Sequence, residues 1–289
     1  MTRILLTIPA LTASAMAQNW VNFADETTVR MRVAGNDPSI TVNDTQEKDY
    51  AWGDVDLDGD IDLVCVRKQP FTSTGRDTNI LFMNEGIGEG HAINGVLIDR
   101  TADYAVASDV SGDQGFLTPT NDRDVVLADL NGDGWLDMAT APTLTDNSQK
   151  HLSHPRIYIN LGESGGVWQG FRFEDARIPE MHPTAGPRFC SVAAGDVDGD
   201  GDLDLYFGDY DSGGSQIFDY NNRLLMNNGS GFFTDETNSR LTGEMSLSAF
   251  GAASAIADMN GDGVMDVVKQ TSLNAPQHVA VTYNNPSNE

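Results

Sequence analysis

The chain has 289 residues, of which 39% are hydrophobic, so it can bury the core of one large all-β domain or of two ordinary domains. It is strongly acidic, with 43 aspartates and glutamates against 17 lysines and arginines and a formal net charge of -26. Such a charge repels nucleic acid and anionic membrane surfaces and attracts cations. We therefore expect no nucleic-acid partner. We also expect a folded protein, because short apolar runs recur along the whole chain.

The N-terminus has the pattern of a secretory signal peptide. Arg3 precedes an apolar stretch from Ile4 to Ala13, and Ala15 and Ala17 form a small-residue cleavage pattern. The stretch is short and contains Pro9, so an ordinary N-terminal segment stays an alternative. No other stretch approaches the roughly 20 apolar residues of a membrane helix. The prediction is a signal peptide over residues 1–17, no membrane insertion, and a mature protein that is secreted, periplasmic or on the cell surface.

Only two cysteines are present, Cys65 and Cys190, so the chain is not a disulfide scaffold. They occupy different positions of the repeat described next, which favours two buried thiols. A bridge between them stays open as the alternative.

One aspartate-rich motif occurs four times. Its copies are GDVDLDGDIDLV from Gly53, ADLNGDGWLDMA from Ala128, GDVDGDGDLDLY from Gly195 and ADMNGDGVMDVV from Ala257. Each copy precedes a hydrophobic run that ends in Asn, namely NILFMNEG from Asn79, RIYINLG from Arg156, NRLLMNNG from Asn222 and HVAVTYNN from His278. A third element follows in three copies, as LIDRT from Leu97, FEDAR from Phe173 and FTDET from Phe233. A repeat at this period indicates units built from several short strands.

In the second repeat the strands are predicted from period-2 alternation and from turn residues at their ends. They are expected at Val125–Ala128, Leu136–Thr140, Arg156–Asn160 and Gly170–Asp175. Four antiparallel strands in each repeat make a propeller blade. The predicted fold is therefore an all-β, four-bladed β-propeller that forms a single domain over residues 18–289.

The ends of the chain suggest how such a ring closes. The fourth repeat has no third element before Glu289, whereas FADET lies at Phe23–Thr27, ahead of the first repeat. We expect this N-terminal segment to complete the last blade and so to cover an exposed sheet edge.

Each aspartate-rich motif has the spacing of a calcium loop. Carboxylates or an amide stand at positions 1, 3, 5 and 9 of nine residues, and Gly at position 6 permits a positive φ. Hard oxygen donors of this number suit Ca²⁺ better than Mg²⁺. The predicted ligands are Asp54, Asp56, Asp58, Asp60 and Asp62; Asp129, Asn131, Asp133, Trp135 and Asp137; Asp196, Asp198, Asp200, Asp202 and Asp204; and Asp258, Asn260, Asp262, Val264 and Asp266. The fourth residue of each set, at position 7, contributes its main-chain carbonyl.

Two other interpretations of these loops fit the sequence less well. An EF-hand closes its loop with Glu at position 12, where this chain has Cys65, Thr140, Phe207 and Lys269. An aspartate-rich turn without metal is possible for one copy, but four copies with identical spacing favour metal. We expect four calcium ions, one in each repeat, and loss of stability when they are removed.

These elements resemble the FG-GAP/VCBS repeat family, to which the integrin α-chain propeller belongs. The resemblance is carried by the GDxDxDGxxD loop, the NRLLMNNG run and the FxDxT element, and it covers residues 20–289. It implies calcium in the loop between the first two strands of each blade. Related propellers commonly have more blades than the four found here, so a fragment of a seven-bladed propeller is the alternative.

Signals for catalysis are few. His151 and His154 form an HxxH pair, with His182 further along, but Pro155 follows and a solvated loop explains the pair better. The predicted function is a non-enzymatic module that binds an extracellular protein or glycan. The alternative is a polysaccharide lyase or hydrolase on a propeller scaffold. Aromatic loop residues that offer either sugar stacking or packing between blades are Trp168, Tyr210, Phe218 and Tyr220.

Overall fold

The computed structural model describes residues 23–32, 44–72, 74–144, 149–181, 187–209, 222–245, 253–270 and 279–284. The predicted signal peptide lies outside these residues. Among the helices within them, none is long and apolar enough to cross a membrane.

The described chain is all-β, with antiparallel sheets of three to five strands. The first sheet contains β1 (Met31–Arg32), β2 (Glu47–Gly53), β3 (Asp62–Lys68), β4 (Ile80–Glu85) and β5 (Val96–Asp99). The second contains β6 (Ala107–Ser108), β7 (Asp122–Ala128), β8 (Asp137–Pro142), β9 (Arg156–Asn160) and, after a small hairpin of β10 (Glu163–Ser164) and β11 (Val167–Trp168), β12 (Phe171–Phe173). The third contains β13 (Phe189–Gly195), β14 (Asp204–Asp209), β15 (Arg223–Asn227) and β16 (Phe233–Asp235), and the fourth contains β17 (Ser254–Ala257), β18 (Asp266–Gln270) and β19 (Val279–Thr282).

All four sheets are built on the same meander. The first two strands of the repeat pair antiparallel on either side of the aspartate-rich loop, and the third strand pairs with the second. The third strands of the second and third sheets, RIYIN and RLLMN, are buried along their whole length because neighbouring sheets cover both faces. The predicted strands of the second repeat are confirmed to within a few residues.

Short helical turns follow the outer strands. They are α2 (Thr101–Tyr104) after β5 and α4 (Thr237–Arg240) after β16, while α1 (Thr27–Arg30) precedes β1 and α3 (Lys150–Ser153) precedes β9. Single 3₁₀ turns lie at Ile87–Glu89, Gly115–Leu117, Asp175–Arg177 and Gly243–Met245. After α2 the chain enters the second sheet, where β6 runs parallel to β12. In the same way β1 follows α1 and runs parallel to β5.

The sheets pack face to face in chain order. Hydrophobic clusters lie between the first and second sheets, the second and third, and the third and fourth. The first strands of the repeats, β2, β7, β13 and β17, are neighbours in that order. Among the described residues, no hydrophobic cluster joins the fourth sheet to the first.

Two sequence-based expectations need correction. Phe23–Glu26 forms no strand on the fourth sheet; Phe23 is 94% exposed, and the chain after it joins the first sheet through β1. The short motif sets the local turn, but a strand also needs a partner edge, and among the described residues the fourth sheet pairs only β17, β18 and β19. In the second repeat the third element begins at Phe171 rather than Phe173, because Phe171 pairs with Asn160 as Phe233 pairs with Asn227.

Cys65 and Cys190 are both buried and are not joined by a disulfide. They lie in β3 and β13, which belong to different sheets.

Candidate calcium loops

The four loops, Asp54–Asp62, Asp129–Asp137, Asp196–Asp204 and Asp258–Asp266, connect the first two strands of each sheet. We call them the first to fourth loops. Glycine at position 6 adopts a positive φ of 100°, 89°, 96° and 89° at Gly59, Gly134, Gly201 and Gly263, as predicted. Position 12 of every loop lies in a strand, which excludes the helix-flanked EF-hand.

The aspartate at position 1 organises the turn of each loop. In the second loop, Asp129 Oδ1 accepts hydrogen bonds from the main-chain N–H of Gly132 at 2.8 Å and Asp133 at 3.1 Å. Its Oδ2 accepts one from the N–H of Gly134 at 2.8 Å. The side chain thus gathers main-chain donors around one carboxylate, and Asp196 and Asp258 do the same.

The aspartate at position 9 ties the loop to the third strand. Asp137 Oδ2 accepts from Leu130 N at 3.0 Å, and its Oδ1 accepts from Asn160 N at 2.8 Å. The equivalent pairs recur at Asp62, Asp204 and Asp266. Burial raises the pKa of Asp137 and of Asp62 to about 7 and that of Asp204 to about 6. Position 9 is therefore both a candidate ligand and a structural connector.

In the second, third and fourth sheets, an asparagine at or just after the end of the third strand joins the sheet to the preceding one. Asn160 Nδ2 donates to the Val55 carbonyl of the first loop at 2.7 Å, and Asn227 Nδ2 donates to the Leu130 carbonyl of the second loop at 2.7 Å. Asn284 Nδ2 donates in the same way to the carbonyl of Val197. The recurrent Asn at the end of the third-strand runs is visible in the sequence, but its role is not.

The first and third loops bring three carboxylates together. Oxygens of Asp54, Asp56 and Asp58 lie within 4.8 Å of one another, and so do those of Asp196, Asp198 and Asp204. In the first loop Asp54 Oδ1 is buried and accepts no hydrogen bond. Burial and the neighbouring Asp58 charge raise the pKa of Asp56 to about 6. The carboxylates repel one another at this separation, which a cation would relieve.

The second and fourth loops have a neutral amide at position 3, where the first and third have a carboxylate. Asn131 Nδ2 donates to Asp133 Oδ2 at 2.9 Å, and Asn260 Nδ2 donates to Asp262 Oδ2 at 2.9 Å. Among the described residues, no cluster of three acidic side chains is found in either loop.

The predicted donors fit calcium by their chemistry. All the side chains offer carboxylate or amide oxygen, the donor type that Ca²⁺ prefers. At position 7 the N–H of Asp60, Trp135, Asp202 and Val264 donates to the position 5 carboxylate at 2.8–2.9 Å. Their carbonyls stay predicted ligands.

Two of the other sequence candidates have structural contacts in the part of the chain that the structure describes. His154 is buried; its Nε2 accepts from Met181 N at 3.1 Å and lies 3.5 Å from Glu180 Oε1. These contacts give His154 a structural role. Trp168 packs against Tyr104 and Phe171, so it is a packing residue. Four further candidates lie outside the described residues: His182, Tyr210, Phe218 and Tyr220.

Comparison with known families gives one match. Residues 129–207, from the start of the second loop to the strand after the third, match a family model described as an FG-GAP-like repeat. No curated protein matches the chain.

Proposed function

We propose that this chain, which carries an FG-GAP-like repeat, is an exported calcium-binding protein that acts as a non-enzymatic module for protein or glycan ligands. The observation that carries the proposal is the carboxylate cluster of the first loop, where Asp54 Oδ1 is buried without a hydrogen-bond partner. A buried acceptor of this kind costs about 1–3 kcal/mol unless it is satisfied. A cation in the loop supplies the missing partner.

Calcium would be held by the predicted ligands at positions 1, 3, 5, 7 and 9 of each loop. When bound, the ion offsets the charge of the position 1, 3 and 5 side chains. Position 9 already bonds the third strand, so ion binding at that carboxylate would couple the loop to the sheet. The main-chain donors around Asp129 hold its carboxylate in place before any ion arrives.

The four sheets would be consecutive blades of a propeller. This is supported by the succession of β2, β7, β13 and β17 and by the asparagine bonds from each sheet to the preceding loop. Each blade then contributes one calcium loop to the same end of the assembly.

The first loop also offers a contact surface for a partner. Leu57 occupies position 4, where the other loops have glycine, and it adopts a φ of 59° with its side chain 54% exposed. Ile61 beside it is exposed as well. A bulky apolar residue in a left-handed conformation is costly, and such strain concentrates at functional sites. We therefore place ligand contacts at Leu57 and Ile61.

Calcium titration by calorimetry tests the metal part of the proposal. The full chain should bind calcium saturably, and Asp54→Asn should remove one site. Glu163→Gln is the matched control, because Glu163 is exposed and lies outside the loops. Binding that is absent, or equally reduced by both variants, would contradict calcium at the first loop.

Arrays of glycans and extracellular proteins test the ligand part. Leu57→Gly should weaken capture of any ligand found and leave the calcium stoichiometry unchanged. Ile87→Ala removes an exposed apolar residue away from the loops and should have no effect. Equal effects of the two variants would rule out the first loop as the contact surface.

A further inference from the structure

In the part of the chain that the structure describes, the first and fourth sheets each leave an apolar face uncovered. On β2 of the first sheet, Trp52 is 71% exposed, and Tyr50 is exposed beside it. On the fourth loop, Met259 is 51% exposed, although its counterparts Val55, Leu130 and Val197 are all at most 5% exposed. The internal junctions between sheets are therefore closed, and the two outer ones are open.

The internal junctions show what these faces are shaped to contact. Trp52 stands one residue before the end of its strand, where the second and fourth sheets have Leu127 and Ile256. Leu127 lies against Gly53 of the preceding sheet, and Ile256 lies so close to Gly195 that a Cβ there would be 2.4 Å from Ile256 Cγ2. Leu127 and Ile256 thus contact the last residue of the first strand in the preceding sheet. In the same register, Trp52 would face the last residue of a strand equivalent to β17.

One hydrogen bond of the repeating set is also missing. Asn160, Asn227 and Asn284 donate to the loop of the preceding sheet, but Asn84 Nδ2 donates only to Ile61 within its own sheet among the described residues. The acceptor that completes the set is the carbonyl of Met259, which no described sheet covers.

The segment Phe23–Thr27 supplies the third matching feature. Thr27 N donates to Asp25 Oδ1 at 3.1 Å, the contact that Thr237 makes with Asp235 after β16. In the third sheet, Thr237 Oγ1 then accepts from Leu224 N at 2.9 Å, and Glu236 N donates to the Leu224 carbonyl. The segment thus keeps the local structure of an outer strand without a sheet to complete.

The fourth sheet has the complementary edge. Leu224 precedes Asn227 by three residues, as Val281 precedes Asn284, and both asparagines donate N–H to the position 9 aspartate. Val281 pairs with Val268 as Leu224 pairs with Tyr206. The N–H and carbonyl of Val281 therefore point away from β18, toward the place of a fourth strand.

We propose that a second copy of this chain closes both open ends. The first sheet of one copy packs on the fourth sheet of the other, and residues Phe23–Thr27 add a strand beside β19. The same junction formed reciprocally joins two copies in a closed ring, so no edge is left exposed. A second copy fits better than the same chain because Trp52 and Phe23 stay exposed and β2 makes no extensive contact with β17.

Charge determines the conditions under which the copies associate. Each chain carries a formal net charge of -26, so two copies repel one another at low ionic strength. Association should therefore strengthen with added salt, the opposite of a contact made by ion pairs.

Sedimentation equilibrium of the full chain tests the proposal. The protein should have twice the mass of one chain, and Trp52→Ala combined with Ala24→Pro should yield monomers. Ala24 corresponds to Thr234, which faces β15, so proline there removes a strand N–H. The controls are Ala24→Val and Ile87→Ala, which should stay dimeric. A wild-type chain that is monomeric at all concentrations and salt conditions would overturn the proposal.

A mixing experiment separates association from closure within one chain. One variant carries Trp52→Ala with Ala24→Pro, and the other carries Met259→Arg. Each alone should be monomeric, and mixing them should restore a heterodimer through the one junction that keeps both faces intact. Failure of the mixture to associate, with both variants folded by circular dichroism, would assign the faces to closure within a single chain and overturn the proposal.

Discussion

The first and second loops share one spacing, and two of their differences lie at the adjacent positions 3 and 4. The first has Asp56 and Leu57 where the second has Asn131 and Gly132. In the second loop the Asn131 amide donates to Asp133, whereas in the first loop Asp56 raises the number of clustered carboxylates to three. Identical spacing therefore gives loops with different charge: the second loop has a neutral amide that donates to a neighbouring carboxylate, and the first loop gathers three carboxylates.

The same contrast holds for the main chain. Gly132 adopts its φ of 73° at no steric cost, whereas Leu57 adopts 59° with a bulky side chain. Charge repulsion and backbone strain are both concentrated in the first loop. We expect perturbations to act there first.

Removal of calcium should have the largest effect. At a free calcium concentration 100 times the dissociation constant, one site contributes about 2.7 kcal/mol to the free energy of unfolding, and four sites are expected. Thermal melts with and without chelator should show a large fall in Tm, and hydrogen exchange should show the first loop opening more than the second. Unchanged Tm in chelator would refute calcium binding, and equal exchange would refute the contrast between the loops.

The pH dependence of the metal-free protein should be the next largest effect. Burial raises the pKa of Asp62 and Asp137 to about 7, and that of Asp56 to about 6, above the 3.8 of an unperturbed aspartate. The folded state thus holds more protons than the unfolded chain between about pH 4 and 7, so stability falls as pH rises through this window. Without calcium, Tm should be higher at pH 5 than at pH 8.

Calcium should reverse this order, because the ion binds the deprotonated carboxylates. Asp56→Asn should flatten the metal-free profile between pH 5 and 7, since it removes a carboxylate of the first loop whose pKa is raised to about 6. A metal-free profile that rises with pH would contradict the assignment of these carboxylates.

Much of the loop and strand pattern could be predicted from the sequence, because turn residues and alternation act locally. The position 6 glycines and the strands on both sides of Asp129–Asp137 follow from spacing alone. The left-handed conformation of Leu57 could not be predicted, since leucine avoids positive φ unless the surrounding fold imposes it. Three other loops have glycine at that position, which was the available signal.

Contacts between sheets could not be predicted from local sequence patterns. The recurrent asparagine was visible at Asn160 and Asn227, but its acceptor lies in another repeat, about 100 residues away in sequence. The N-terminal FADET segment is predicted as an outer strand; its turn after Asp25 is present, but residues 23–26 form no strand. Which edge it joins depends on how the sheets are arranged, and a short motif carries no information on that.

Exchange of the position 3 residues should give a smaller effect, with opposite changes in the stability of the metal-free protein and in calcium affinity. Asp56→Asn should stabilise the metal-free protein by roughly 1 kcal/mol, the energy of two unit charges about 4 Å apart in a high dielectric, and should weaken calcium binding at that loop. Asn131→Asp should do the reverse at the second loop. Chemical denaturation in chelator and calcium titration measure both. Shifts of the same sign for the two variants would show that charge number does not distinguish the loops.

Relief of backbone strain should have the smallest effect. Leu57→Gly removes a left-handed leucine that costs about 1–2 kcal/mol, but it adds about 0.4–1 kcal/mol of unfolded-state entropy, so a net stabilisation of about 0.5–1 kcal/mol is expected. Gly132→Leu should lose a similar amount at the second loop. Leu57→Ala is the control, because it removes the exposed side chain and keeps the strain, and it should give no gain. If Leu57→Ala stabilises as much as Leu57→Gly, side-chain exposure rather than φ separates the first loop from the second.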